Sequence, residues 1–112
     1  MARTSRDSTQ LRVVVLGLGR FGSSLARECV RRGSDVLGVD TDPVLVQRHA
    51  DALTHTAVAD TTDEETLRQL GITEYGRAVV GIGSDLEASI LTTAVLVDLG
   101  IAQIWAMPRS TR

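Results

Sequence analysis

The sequence predicts an α/β domain, a parallel sheet held between two helical layers in a three-layer α/β/α arrangement. Three observations carry that prediction. Short runs rich in Val, Leu and Ile alternate with helix-like segments along the chain. Hydrophobic residues make up 43% of the 112 residues and aromatic ones only 3%, so the core is aliphatic and disorder of the whole chain is disfavoured. A glycine-rich loop, GLGRFG at 17–22, joins the first apolar run directly to the first helical segment.

Each element has its own local reason. MARTSRDSTQ, residues 1–10, is polar and lacks the apolar stretch of a secretory signal; a disordered leader is expected there. LRVVVL, 11–16, is continuous and β-branched, as a strand buried on both faces should be. A helix follows from about Arg20 to Arg32, with Phe21, Leu25, Cys29 and Arg32 at near-helical spacing and Gly33 as its terminator. Residues 35–39 form a second strand ending at Asp40. Asp42 is placed as N-cap and Pro43 as first helical residue of a segment running to about Ala52. Thr56–Ala59 is a third, weak strand. Asp63, Glu64 and Glu65 open a helix that closes at Gly71, acidic residues suiting that end of the dipole. Arg77–Gly81 is a fourth strand. Ser84, with Glu87 three residues on, reads as the capping box of a long helix through Leu99, ended by Gly100. Ile101–Ala106 is a fifth strand, and 108–112 a flexible polar tail. The expected lobe therefore occupies 11–107 and is incomplete at its C-terminal end, truncated after the fifth strand.

Composition removes several function classes. The 12 basic residues are all arginine and stand against 14 acidic ones, for a net charge of -2, which gives no case for nucleic acid. Without lysine there is no Schiff base, no lysine general base and no P-loop lysine. One cysteine excludes an intramolecular disulfide and a multi-cysteine zinc site. No run approaches the roughly 20 apolar residues of a membrane span, so a cytoplasmic domain is expected. His49 and His55 are six residues apart, off the i,i+4 spacing of a helical metal pair, and read as surface residues. Cys29 falls on the apolar side of its helix and reads as a small buried hydrophobe. Tyr75 has no lysine partner, and no acid–base pair stands out. No catalytic residue and no metal site are expected, and the chain is read as a non-enzyme.

The glycine loop is where chemistry concentrates. Gly17, Gly19 and Gly22 form GxGxxG after a strand and at the head of a helix, and Asp40 lies eighteen residues beyond Gly22 at the end of the next strand. In that context the motif is the dinucleotide fingerprint of a Rossmann-like fold. Gly17 permits the tight turn, Gly19 lets backbone approach a phosphate, and Gly22 lets the helix lie close to the sheet. Asp40 either accepts hydrogen bonds from ribose hydroxyls, disfavouring NADP relative to NAD, ATP, ADP or AMP, or caps the turn into Asp42-Pro43. Arg20 puts a cation in the first helical turn, against the helix dipole; a bound phosphate would reverse that penalty, and a solvated arginine is the alternative. Asp60 sits beside an adenine or caps the helix near Asp63. Gly81 and Gly83 let a nucleotide pass close to backbone, and Ser84 reads more as a cap than as a ligand contact. The fourth helix carries Leu86, Ala88, Ile90, Leu91, Ala94, Val95, Leu96, Val97 and Leu99 over more than one face, a surplus that suggests a subunit interface; a helix buried within one domain is the alternative.

GLGRFG, Asp40, the segment ending at Asp60 and IGSDLEASILTTAVLVDLG at 82–100 together resemble the nucleotide-binding N-terminal lobe of RCK domains, of the TrkA-N or KTN type found in regulatory subunits of Trk/Ktr potassium uptake systems. The resemblance covers roughly residues 11–106. It implies an adenine-nucleotide-binding regulatory domain that gates a potassium channel or transporter without turnover, loaded with ATP or ADP, alternatively NAD(H) or AMP. By position it implies a cofactor site of Gly17, Gly19, Arg20, Phe21, Gly22, Asp40, Asp60, Gly83 and Ser84. It further implies a homodimer or higher homo-oligomer, a membrane-embedded potassium transporter or channel subunit as partner, and a cytoplasmic location at the inner face of the membrane through that partner. Met107 departs from the basic residue the family often carries there. The competing readings are an NAD-binding oxidoreductase fragment and an oligomerisation domain with an empty cleft.

Overall fold

The computed structural model describes residues 11–82 and 85–106. The expected leader at 1–10, Gly83 and Ser84, Met107 and the expected tail at 108–112 lie outside the described residues. Five strands form one parallel sheet: β1 (Arg12–Leu16), β2 (Asp35–Asp40), β3 (His55–Val58), β4 (Arg77–Val80) and β5 (Gln103–Ala106). Their order across the sheet is β3-β2-β1-β4-β5, so the direction of winding reverses between β1 and β4. Four helices connect them: α1 (Arg20–Arg31), α2 (Pro43–His49), α3 (Glu64–Gln69) and α4 (Leu86–Asp98). A 3-10 turn at Ile72–Glu74, which the sequence did not announce, carries the chain from α3 into β4.

Alternation along the central strands divides the core into two layers. Val14 and Leu16 of β1, Leu37 and Val39 of β2, and Ala78 and Val80 of β4 pack with Leu67 of α3 and Leu96 of α4. Val13 and Val15, Val36, and Val79 point the other way, onto Ala26 of α1 and Val46 of α2. Both faces of β1 are therefore buried, which is why its sequence is an unbroken apolar run.

The helices begin where the sequence asks them to, with one correction. Asp42 caps α2 through Val44 N (2.9 Å), with Pro43 as first helical residue. Asp63 caps α3 through Glu65 N (3.1 Å) and Thr66 N (3.3 Å). The cap of α4 is Asp85 rather than Ser84: its Oδ1 accepts from Ala88 N at 3.0 Å, which moves Glu87 out of the capping-box position. A carboxylate at this position also suits the helix dipole better than a hydroxyl.

His49 is a second correction. It is buried: α2 ends at His49 rather than at Ala52, and Val46 and His49, three residues apart on one face, turn toward α1. Its Nδ1 faces Arg27 Nη2 of α1 at 3.2 Å. A guanidinium only donates, so Nδ1 accepts and the ring is neutral. His55 is exposed as expected, 3.8 Å from Asp35. Cys29 is half-buried against the α1–α2 layer, and burial raises its thiol pKa, which suits a packing role.

Burial first, then Arg27 and Arg48, lowers the His49 pKa below its ordinary value. A base whose folded pKa is depressed contributes its stability fully above the unfolded value of about 6.5 and loses it as pH falls through the folded one. The melting temperature is therefore expected to start falling below about pH 6.5, before carboxylates titrate. His49→Gln should remove that early limb; an identical pH profile in the variant would assign the limb to other groups.

Candidate functional site

Three glycines bring β1, α1 and β4 together at the carboxyl edge of the sheet. Gly17 turns the chain out of β1 with φ +107°, and its N–H reaches Val39 O at 2.7 Å. A Cβ on Gly17 would lie 2.7 Å from the Gly81 carbonyl oxygen. A Cβ on Gly22 would overlap the Gly17 carbonyl oxygen, and one on Gly81 would sit 3.3 Å from Gly22 Cα. Backbone thus packs on backbone at the start of α1. Gly19 differs: a Cβ there would meet nothing within 4 Å. The space above it is open.

That space is a cleft of about 730 Å³ over the strand ends. Its walls come from the glycine loop (Gly17, Gly19, Arg20, Phe21), the end of β2 (Asp40, Thr41), Leu45 of α2, the turn after β3 (Asp60, Thr61, Thr62), the end of β4 (Gly81, Ile82) and the start of α4 (Asp85, Glu87, Ala88, Leu91). It spans the switch point between β1 and β4, where ligands of open α/β sheets bind.

Six of the nine residues singled out from the sequence line this cleft: Gly17, Gly19, Arg20, Phe21, Asp40 and Asp60. Gly22 lies beneath it, buried under the Gly17 carbonyl, where its lack of a side chain serves packing. Gly83 and Ser84 lie outside the described residues. Phe21 does not join the apolar stripe of α1. It is 55% exposed at the cleft, whereas Leu25 and Cys29 pack on the sheet layer. Arg32 caps the exposed end of α1 and pairs with Glu28 at 2.7 Å.

The Asp40 carboxylate is held at both oxygens. Oδ2 accepts from Leu18 N at 2.7 Å, and Oδ1 accepts from Asp42 N at 2.8 Å. It therefore does anchor the turn into α2, and it clamps the glycine loop as well. Each carboxylate oxygen keeps acceptor capacity for a further donor. Asp60 does not cap α3, a role Asp63 fills. Its Oδ1 instead accepts from Thr62 Oγ1 (2.6 Å) and Thr62 N (2.9 Å), which hold its carboxyl below the usual pKa. It stays ionised at the cleft wall.

The N-terminus of α1 is unlike the other three. Its cap position is Gly19, no side chain accepts from its first N–H groups, and no acidic residue stands in its first turn. Arg20 occupies that turn instead, exposed, and among the described residues no carboxylate pairs with its guanidinium. Unsatisfied N–H groups, the positive end of a dipole and a cation converge on open space, an arrangement that accepts an anion.

Leu45, Thr61 and Leu91 were not legible as lining residues. The rule that ligands meet the ends of parallel strands could have found Thr61, next to Asp60; Leu45 and Leu91 come from helices folded over the edge. Among the described residues there is no cluster of His, Cys, Asp and Glu that could hold a metal, and no helix long and apolar enough to cross a membrane.

Residues 13–111 match the TrkA-N domain family. Ktr system potassium uptake protein A of Bacillus subtilis (strain 168) is 43% identical over 91 residues, 81% of this chain and 41% of that protein. Ktr system potassium uptake protein C of the same organism is 39% identical over 90 residues, 80% of this chain and 41% of that protein. The chain thus spans about two fifths of the length of these curated relatives. The solved NAD(P)-binding domain of an exopolyphosphatase-related protein from Archaeoglobus fulgidus superposes with a TM-score of 0.78 at 24% identity, covering 91% of this chain and 76% of that one, which supports the fold.

Replacing Gly22 by Ala is expected to cost at least the ~3 kcal/mol upper end of overpacking, because the clash is with backbone that cannot yield. Gly19→Ala, at an ordinary φ of -73° and facing open space, should change stability by less than ~1 kcal/mol. Urea denaturation of the two variants measures both, and similar midpoints would refute the packing role given to Gly22.

Proposed function

The chain belongs to the TrkA-N domain family, and from that premise we propose that its cleft binds an adenine nucleotide, ATP or ADP in preference to NAD(H) or AMP, and that it regulates a membrane-embedded potassium transporter or channel. TrkA-N domains are regulatory modules rather than enzymes, and the chain is read as binding without turnover. The observation that carries the ligand reading is the uncapped N-terminus of α1 beside Arg20, which has no carboxylate partner among the described residues. The cleft lining holds one guanidinium and the carboxylates of Asp40, Asp60, Asp85 and Glu87. Phosphates are accommodated only where backbone N–H groups and Arg20 meet, at the glycine loop. Asp40 takes ribose hydroxyls on its remaining lone pairs, and its charge repels a 2'-phosphate. Asp60 lies on the adenosine side; Gly83 and Ser84, outside the described residues, join this reading from the resemblance of the sequence alone.

The partners in this reading are a second copy of the chain and a transporter subunit at the inner face of the cell membrane. The names of the potassium uptake relatives support the second. Support for the first is a stripe on α4: Leu86, Ile90, Ala94 and Val97 are all exposed at helical spacing, with Leu86, Ile90 and Val97 more than half so.

Calorimetric titration is expected to give ATP binding that weakens ~10- to 100-fold in Arg20→Ala, the size of one lost charged hydrogen-bonding contact, with AMP changed by less than ~3-fold. Equal losses for both nucleotides would remove the phosphate-sensing role. Ile90→Arg is expected to lower the mass of the assembly in native mass spectrometry while leaving the circular dichroism spectrum intact; an unchanged mass would place the self-contact elsewhere.

A further inference from the structure

Helix α4 is held to the rest of the domain by little. Only Thr92 and Leu96 are buried among its residues. Leu96, with half-buried Val95 and Leu99 beside it, fastens the C-terminal half to the sheet. The N-terminal half, which contributes Ala88 and Leu91 to the cleft wall, has Thr92 as its buried anchor.

Thr92 makes an unusual use of its hydroxyl. Its neighbour Thr93 does what helical threonines commonly do, donating back to the Ser89 carbonyl at 2.8 Å. Thr92 instead reaches out of its helix to Thr61 Oγ1, 31 residues away in sequence, at 2.8 Å. Thr61 is 5% exposed and Thr92 is 0% exposed, and Thr61 lines the cleft whereas Thr92 does not. Burying two hydroxyls costs free energy unless each satisfies the other, and Val would fill either position more simply. The bond fixes where the first half of α4 sits relative to the turn that follows β3. It links a ligand wall to the helix bearing the exposed apolar stripe.

We propose that Thr92 is a positioning residue: through its hydroxyl bond to Thr61 it ties the seating of a nucleotide in the cleft to the seating of α4, so that filling the cleft orders residues 86–98. The proposal rests on the nucleotide reading above. Nucleotide pressing on the wall at Asp60–Thr62 restricts Thr61, Thr61 restricts Thr92, and α4 loses freedom it has when the cleft is empty.

Amide hydrogen exchange of the full chain, with and without saturating ATP, tests it. In the wild type, ATP should slow exchange both in the glycine loop at 17–22 and in α4. In Thr92→Val, which keeps the shape and removes the hydroxyl, the loop should still respond while the ATP-dependent slowing in α4 shrinks ~3- to 10-fold, the size of one neutral hydrogen bond. Thr92→Ser keeps the hydroxyl and should restore it. Should Thr92→Val fail to fold because it strands the Thr61 hydroxyl, the double variant Thr61→Val/Thr92→Val removes both partners at nearly constant shape, and the same weakened response in α4 is expected. Full slowing in α4 without the hydroxyl pair overturns the proposal, and so does failure of Thr92→Ser to restore it. ATP slowing exchange in the loop but not in wild-type α4 overturns this coupling and leaves nucleotide binding standing. ATP slowing exchange nowhere overturns both.

Discussion

The contact of three bare backbones, Gly17 under β1, Gly22 in α1 and Gly81 after β4, is the constraint on which the rest of the carboxyl edge depends. A Cβ at Gly17 or Gly22 would run into backbone, and one at Gly81 would be tight against Gly22. Their closeness sets how near α1 approaches the sheet, and so where its N-terminal amides point. It also places the end of β4 against the glycine loop, with Gly81 N donating to Leu16 O at 2.8 Å. The cleft is what remains above that packed backbone. A side chain at Gly22 would lift α1 and carry Arg20 and Phe21 away from the edge with it.

A second layer of organisation is made by aspartates. Asp42, Asp63 and Asp85 each satisfy the N–H groups of the helix they precede. Asp40 does something different: it spans two loops, holding Leu18 N of the glycine loop and Asp42 N of the turn into α2. The same carboxylate that faces the cleft therefore also shapes it. The helix left without such a cap is α1, and its first turn carries a cation where an anion would be favoured. Among the described residues it is the one helix start at which local sequence and helix dipole disagree, and the anion proposed above would relieve that disagreement.

The surface of α4 and the wall of the cleft meet in one helix. Leu91 faces the cleft, Leu86, Ile90 and Val97 face outward, and Leu96 faces the core. An apolar helix used on three sides explains why its sequence shows no single stripe. It also explains why reading it as a mere core helix would fail: only two of its residues are buried.

Much of the fold was legible because it rests on local rules. Apolar runs of strand length, aspartates ahead of helices and glycines behind them placed all five strands and four helices to within a few residues. The glycine loop and Asp40 were legible because their chemistry repeats at a known spacing after a strand. Where the reading went astray, the deciding contacts lay far along the chain. His49 lies buried with Val46 on the inner side of α2, and the group its Nδ1 meets, Arg27, is 22 residues earlier. Phe21 is exposed because the first turn of α1 sets Gly22 and Ser23 against the strand ends and leaves Phe21 at the cleft. Asp85 rather than Ser84 caps α4, a choice between neighbouring residues that depends on how the chain leaves β4. Thr61 and Thr92 look like any two threonines until the sheet and α4 bring their hydroxyls together. By itself, then, the sequence determined the elements, their order and the glycine turn after β1, since these follow from backbone conformation and periodicity over a few residues. Only the tertiary structure decided which side chains share the cleft and which polar groups satisfy one another, because those pairings join residues that the sheet, not the chain, makes neighbours.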